Sequence, residues 1–147
     1  MKIINKKARF NYDVIESFEA GIVLTGAEVK SIKSGRANLS DSFVKIIDGT
    51  LYLVNTDIPK YKYDGSTNYD SHRSRKLLVK KEELIKISGK LKSKNLVLVP
   101  VSIYETRGIL KVEVGMGRGK KRYEKKEREK QRDLDRELLH ESKKFVV

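Results

Sequence analysis

Apolar and polar residues alternate with a period of two through much of the chain up to Gly117, the spacing of strands that bury one face. Leu110, Val112, Val114 and Met116 alternate with Lys111, Glu113 and Gly115, and Val97, Val99, Val101 and Ile103 form a second row. Arg107-Gly108 between the rows predicts a hairpin turn. Pro100 has no amide hydrogen to donate, so it belongs at a sheet edge or a bulge. A second hairpin is expected from Phe43 to Ile47, through Asp48-Gly49, to Leu51 and Val54, because Asp-Gly supplies the positive φ angles of a type I′ turn. A further strand begins near Tyr12 and ends at Ile22 and Leu24, and Lys76 to Val79 is a short one.

Helical spacing interrupts this rhythm twice. Thr25 and Glu28 have the separation of a capping box, and Val29 and Ile32 then place an apolar stripe on a short helix ending near Gly35. From Glu82 onward Leu84, Ile87 and Leu91 recur at helical intervals, with Gly89 costing about 1 kcal/mol relative to Ala. About six strands, two or three short helices and no βαβ rhythm predict a mainly β chain folded as a small closed antiparallel barrel. Between Pro59 and Arg75 lies a long loop in which Tyr61, Tyr63 and Tyr69 are interleaved with Lys60, Lys62, His72, Arg73 and Arg75. Such rings can stack on unpaired bases while the cations hold phosphates, or they can lie half buried against the barrel.

Charge changes the picture. Of 147 residues 36% are charged, against about 25% in an average protein, and the net charge is +13. That excess points to a polyanionic partner. Up to Val114 there are 21 basic and 13 acidic residues, and from Gly115 onward 12 and 7, so both parts are cationic. Between Arg118 and Asp133 the only large apolar side chain is Tyr123, which leaves a helix there no face to bury. The expected organisation is a barrel over residues 1–117 and a basic tail over 118–147, disordered alone and helical against a partner.

Catalytic chemistry finds little purchase. With no Cys, thiolate nucleophiles and cysteine-ligated metals are excluded, and His72 and His140 fall in different compositional regions. Gly115-Met116-Gly117-Arg118-Gly119-Lys120 lacks the spacing of a phosphate loop and of a dinucleotide fingerprint. Its glycines either let a strand leave the barrel or permit close approach to a phosphate. Glu19 and Glu28 do not form an acid–base pair: Glu28 reads as a helix cap, while Glu19 fits a strand-bend hydrogen bond or an RNA contact. No cofactor or metal is expected. The first ten residues lack an apolar signal core, and no run approaches the roughly 18 apolar residues of a spanning helix, so a cytoplasmic, non-membrane protein is expected.

Several blocks, taken in order, resemble one family. Asn5-Lys6-Lys7-Ala8-Arg9, Phe18-Glu19-Ala20-Gly21-Ile22, Gly26-Ala27-Glu28-Val29-Lys30-Ser31, Gly35-Arg36-Ala37-Asn38-Leu39, Arg75-Lys76-Leu77-Leu78 and Gly119-Lys120-Lys121 are similar to small protein B, SmpB, the SsrA-binding proteins. The resemblance implies an OB-fold-like barrel and no enzymatic activity. It further implies binding to the tRNA-like domain of transfer-messenger RNA (tmRNA) and delivery to stalled ribosomes for trans-translation by a protein that is monomeric when free. It carries RNA contact over to Asn5, Glu19, Leu78 and Lys111, with Lys6, Lys7 and Arg36 in the matching blocks and Arg75, Lys76 and Lys80 on phosphates or sugars. Leu78 fits the barrel core equally well.

The resemblance also implies that the tail enters the decoding centre and the empty mRNA channel against 16S rRNA, through Arg118, Lys120, Lys121, Arg122, Tyr123, Glu124, Lys125 and Lys126. Glu124 and Lys126 stand where the family usually has Asp and Arg, which keeps the sign but loses a bidentate fork. The alternative is a generic OB-fold protein for single-stranded RNA, which would use the same cations and need no defined tail.

Overall fold

The computed structural model describes residues 1–65 and 67–120. Its elements, in chain order, are β1 (Lys2–Ile4), α1 (Lys6–Asn11), β2 (Tyr12–Ile22), α2 (Gly26–Lys33), β3 (Phe43–Ile47), β4 (Thr50–Val54), β5 (Arg75–Leu78), α3 (Lys81–Lys94), β6 (Val97–Thr106) and β7 (Ile109–Gly119). The strands form one antiparallel sheet in the order β1-β6-β7-β2-β5-β4-β3. The described residues therefore hold seven strands where about six were expected. The closed barrel is corrected as well: β3 comes near β6, yet β1 and β3 remain the edges of an open hydrogen-bonded ladder among the described residues.

The core lies on the concave side. Leu110, Val112, Val114 and Met116 of β7 are all buried as their alternation requires, and they meet Leu51 and Leu53 of β4 and Leu77 of β5. Ile32 of α2 and Ile87 of α3 close over them. Both two-residue turns have the expected left-handed backbone, with φ of 50° and 74° at Asp48 and Gly49 and 52° and 78° at Arg107 and Gly108. The α2 capping box is complete: the Glu28 amide donates to Thr25 Oγ1, and the Thr25 amide donates to Glu28 Oε1 at 2.9 Å.

The expected β6 row is not continuous. Pro100 sits at a bulge within an inner strand: Pro100 is opposite Val114 and Ser102 opposite Glu113, leaving Val101 as the extra residue. One additional residue reverses the facing of everything beyond it. Val97 and Val99 therefore face away from the core while Ile103 faces into it.

Two short N-terminal elements escaped the sequence reading, β1 and α1. Asn5 explains why a short basic helix forms at all. Its Oδ1 accepts from the Ala8 amide as a helix cap, and its Nδ2 donates to Leu39 O at 3.1 Å and Pro100 O at 2.9 Å. The boundary at 117 also moves. β7 pairs with β2 through Gly119, and Lys120 Nζ donates to Arg9 O at 3.1 Å. Gly117 belongs inside this sheet because a Cβ there would land on the Asp13 carbonyl oxygen. The glycine-rich run thus serves close strand contact beside the β2 bulge, between Val14 and Glu16.

Candidate nucleic-acid interface

Residues directly opposite in an antiparallel ladder share a face. Lys2, Tyr104, Lys111, Gly21 and Leu78 are linked in this way across β1, β6, β7, β2 and β5, and all lie on the convex side. Two residues along, Glu19 is opposite Glu113 and Glu113 is opposite Ser102. Lys76 of β5 faces outward beside Tyr52 of β4, which in turn is opposite Lys45 of β3. The structure thus gathers four of the expected contact residues, Glu19, Lys76, Leu78 and Lys111, on one face.

Leu78 is 50% exposed whereas Leu77 is buried, which removes Leu78 from the core. Gly21 of the neighbouring strand lies close against it: a Cβ there would stand 3.3 Å from Leu78 Cβ. Like charges directly opposite one another repel, and the Glu19–Glu113 pair is relieved by two donors. The Tyr104 hydroxyl donates to Glu19 Oε2, and Ser102 Oγ donates to Glu113 Oε2 at 3.2 Å. Partial burial, the bond to Glu19 and the nearby carboxylates push the Tyr104 phenol up to about 12. Lys2, Tyr52 and Tyr104 were missed by the sequence reading. The strand carrying Lys2 has no periodicity, and the outward setting of Tyr104 depends on the β6 bulge.

The remaining expected contacts divide. Lys6 and Lys7 are exposed on α1, with Lys7 bonded to Asp41 Oδ1 at 2.8 Å, and Arg36 is exposed beyond α2. Lys80 is exposed between β5 and α3. Asn5, at 3% exposure, is corrected from RNA contact to a clamp joining α1, β6 and the segment after α2. Arg75 is corrected too, because it is fully enclosed and cannot reach a phosphate. Its Nε donates to Glu28 Oε2 at 2.6 Å, its NH1 to Thr56 O at 2.7 Å and its NH2 to Ser71 O at 3.0 Å.

Arg73 NH2 completes this hub at 2.5 Å from Glu28 Oε1. Burial alone would raise the Glu28 carboxyl, but hydrogen bonds from Arg73, the Thr25 amide and Arg75, together with the Arg75 charge, hold it below its usual range. Of the residues assigned to the tail, Arg118 is exposed on β7 and donates to Lys94 O at 3.1 Å, and Lys120 is buried against α1. Both belong to the globule. Lys121, Arg122, Tyr123, Glu124, Lys125 and Lys126 lie outside the described residues.

A convex sheet face carrying cations, tyrosines and one exposed leucine has the composition of a small RNA-binding β protein. Comparison with known proteins narrows the class. The chain belongs to the SmpB family, whose description, SmpB protein, matches residues 2–144. It is 44% identical over 137 residues to the SsrA-binding protein of Mycolicibacterium paratuberculosis, covering 93% of this chain and 81% of that one. Against the SsrA-binding protein of Persephonella marina it is 46% identical over 141 residues, covering 96% and 91%. Among solved structures it is similar to a chain described under "tmRNA-SmpB: a journey to the center of the bacterial ribosome", with a TM-score of 0.67 and 44% identity over 82% of this chain and 85% of that chain.

Proposed function

We propose that this protein binds the tRNA-like domain of tmRNA and brings it to stalled ribosomes for trans-translation in the cytoplasm. One observation carries the reading: the sheet register places Lys76, Lys111, Leu78 and Glu19 on a single exposed face, in a chain matched over nearly its whole length to SsrA-binding proteins. On that face the two lysines neutralise phosphates, Leu78 offers an apolar contact to a sugar or base edge, and the Glu19 carboxylate accepts from a base amino group or a ribose 2′-hydroxyl. The curled sheet serves as an OB-like platform, and the work is binding without any covalent step. Residues 121–147 carry ten of the chain's cations into the mRNA channel when it is empty, where ribosomal phosphates are otherwise shielded.

The test has two arms. Filter binding with the tRNA-like domain should show loss of affinity in the Lys76→Ala/Lys111→Ala double variant, and a chain ending at Lys120 should keep that affinity while losing peptide tagging on stalled ribosomes. A wild-type chain that ignores this RNA at physiological salt overturns the reading.

A further inference from the structure

The connection between β4 and β5, residues 55–74, is long for a compact domain, and a connection of this length that is held in place is usually functional. Both its ends are pinned. Arg75 holds Thr56 O and Ser71 O, Ser31 Oγ donates to Pro59 O at 2.6 Å, the Ile58 amide donates to Ser71 O at 3.0 Å and the Tyr69 hydroxyl donates to Ile58 O at 2.6 Å. At the tip, the Asp64 amide donates to Tyr61 O at 2.9 Å, closing a four-residue turn with Lys62 and Tyr63 at its centre. The Tyr61 and Tyr63 rings meet edge to face at 5.6 Å, with Lys30 Nζ 5.4 Å from the Tyr61 ring and Lys62 Nζ 5.5 Å from the Tyr63 ring. Tyr63 nevertheless remains 76% exposed.

We infer that this turn is a second RNA contact, apart from the convex sheet face: a stacking site for one unpaired base on Tyr63, with Lys62 and Lys30 beside it for the flanking phosphates, and with Glu28 and Arg73 as positioning residues. The inference rests on the RNA-binding reading above. A large exposed ring that already meets Tyr61 edge to face, with Lys62 Nζ over it, loses little freedom when a base stacks on it. The three tyrosines of the loop are therefore not equivalent. Tyr69 spends its hydroxyl on the scaffold, Tyr61 braces, and Tyr63 is presented. A buried Glu–Arg pair adds little net stability over an apolar replacement, so the worth of the hub lies in the single loop conformation it enforces.

The test uses the full chain and two probes, a twelve-nucleotide single-stranded oligouridine carrying one 4-thiouridine and the tRNA-like domain of tmRNA. Tyr63→Ala should weaken oligouridine binding about 5- to 100-fold with the salt slope unchanged, since stacking releases no counterions. Tyr63→Phe should bind as wild type does, and photocrosslinks should map to the turn. Arg73→Ala, at a half-exposed position where Arg75 still holds the Glu28 carboxylate, should lose part of the same affinity, and adding Tyr63→Ala to it should cost less than in the wild type. The inference is overturned if Tyr63→Ala binds oligouridine like the wild type, if Tyr63→Phe is as weak as Tyr63→Ala, or if crosslinks fall only on β2, β5 and β7. Each of these leaves binding of the tRNA-like domain intact, whereas failure of the wild type on both probes overturns the RNA-binding reading itself.

Discussion

Lys76 and Arg75 are neighbours in one strand, yet Lys76 stands on the convex face with Lys111 and Leu78 while Arg75 is sealed beneath it with Glu28. Successive residues of a strand point to opposite sides, so two cations side by side in a sequence block have opposite fates. One keeps its water and stays open to a phosphate. The other has exchanged its water for a carboxylate and two carbonyls, and its charge is spent within the fold. The contrast separates two measurements that a charge count merges: substitutions in the hub should act mainly on stability, and removing a cation from the face should act mainly on RNA affinity.

The largest effect is expected in the hub. Arg75→Ala leaves the Glu28 carboxylate buried without its enclosed partner, and breaking such a pair costs about 3–5 kcal/mol. Urea unfolding should show that loss, while the fraction still folded binds the tRNA-like domain with nearly unchanged affinity. The same hub makes stability depend on pH. The Glu28 carboxyl is lowered in the folded state, so its contribution is complete above its ordinary value of 4.5 and fades as the pH falls through the folded value. In Glu28→Gln the acid limb of the urea midpoint between pH 6 and 3 should flatten. An acid limb identical to wild type would mean that Glu28 holds no such role.

Next in size is the end of β7. A chain cut after Gly117 loses the pairing of Arg118 with Asp13 and of Gly119 with Tyr12, together with the Lys120 bond to Arg9 O. At about 0.5–1.5 kcal/mol per hydrogen bond, it should be less stable than a chain cut after Lys120 by about 1–3 kcal/mol, read as a shift in thermal midpoint. Equal midpoints would return those residues to the tail.

These positions also show where the sequence is legible. β7 and both hairpin turns can be read because their signals are local: alternation over seven residues and an Asp-Gly or Arg-Gly pair. The capping box is local as well. Arg75 could not be sorted from Lys76, since Glu28 lies 47 residues away and nothing near β5 says which parity faces inward. Pro100 announced an edge or a bulge, but which of the two it is, and that it reverses the facing of Tyr104, depends on the register against β7. Asn5 resembles a surface residue among lysines until Leu39 O and Pro100 O, 34 and 95 residues away, close on its amide.

On the convex face the effects move to affinity. Lys111→Ala should leave stability within about 0.5 kcal/mol of wild type, as surface substitutions generally do. It should weaken binding to the tRNA-like domain and reduce the slope of log affinity against log salt by about 0.7–0.9, the share of one phosphate contact. A change in affinity with no change in slope would mean that Lys111 contacts a base edge and not the backbone.

The smallest effect belongs to Tyr104, whose bond to Glu19 sets the carboxylate at the middle of that face. The phenol is raised from 10 to about 12, so the folded state holds this proton more tightly than the unfolded chain does. Its contribution is therefore complete below pH 10 and is lost as the pH climbs through about 12. The comparison with Tyr104→Phe isolates this one proton. The difference in urea midpoint between the two proteins should be constant at pH 7–9 and shrink steadily above pH 10. The site is largely open to water, which keeps that difference well below the effect of Arg75→Ala. A difference that does not change with pH would show that the Glu19 carboxylate is unbound in solution. The convex face would then meet RNA with its central acceptor free to rotate, and Tyr104→Phe would leave affinity for the tRNA-like domain untouched.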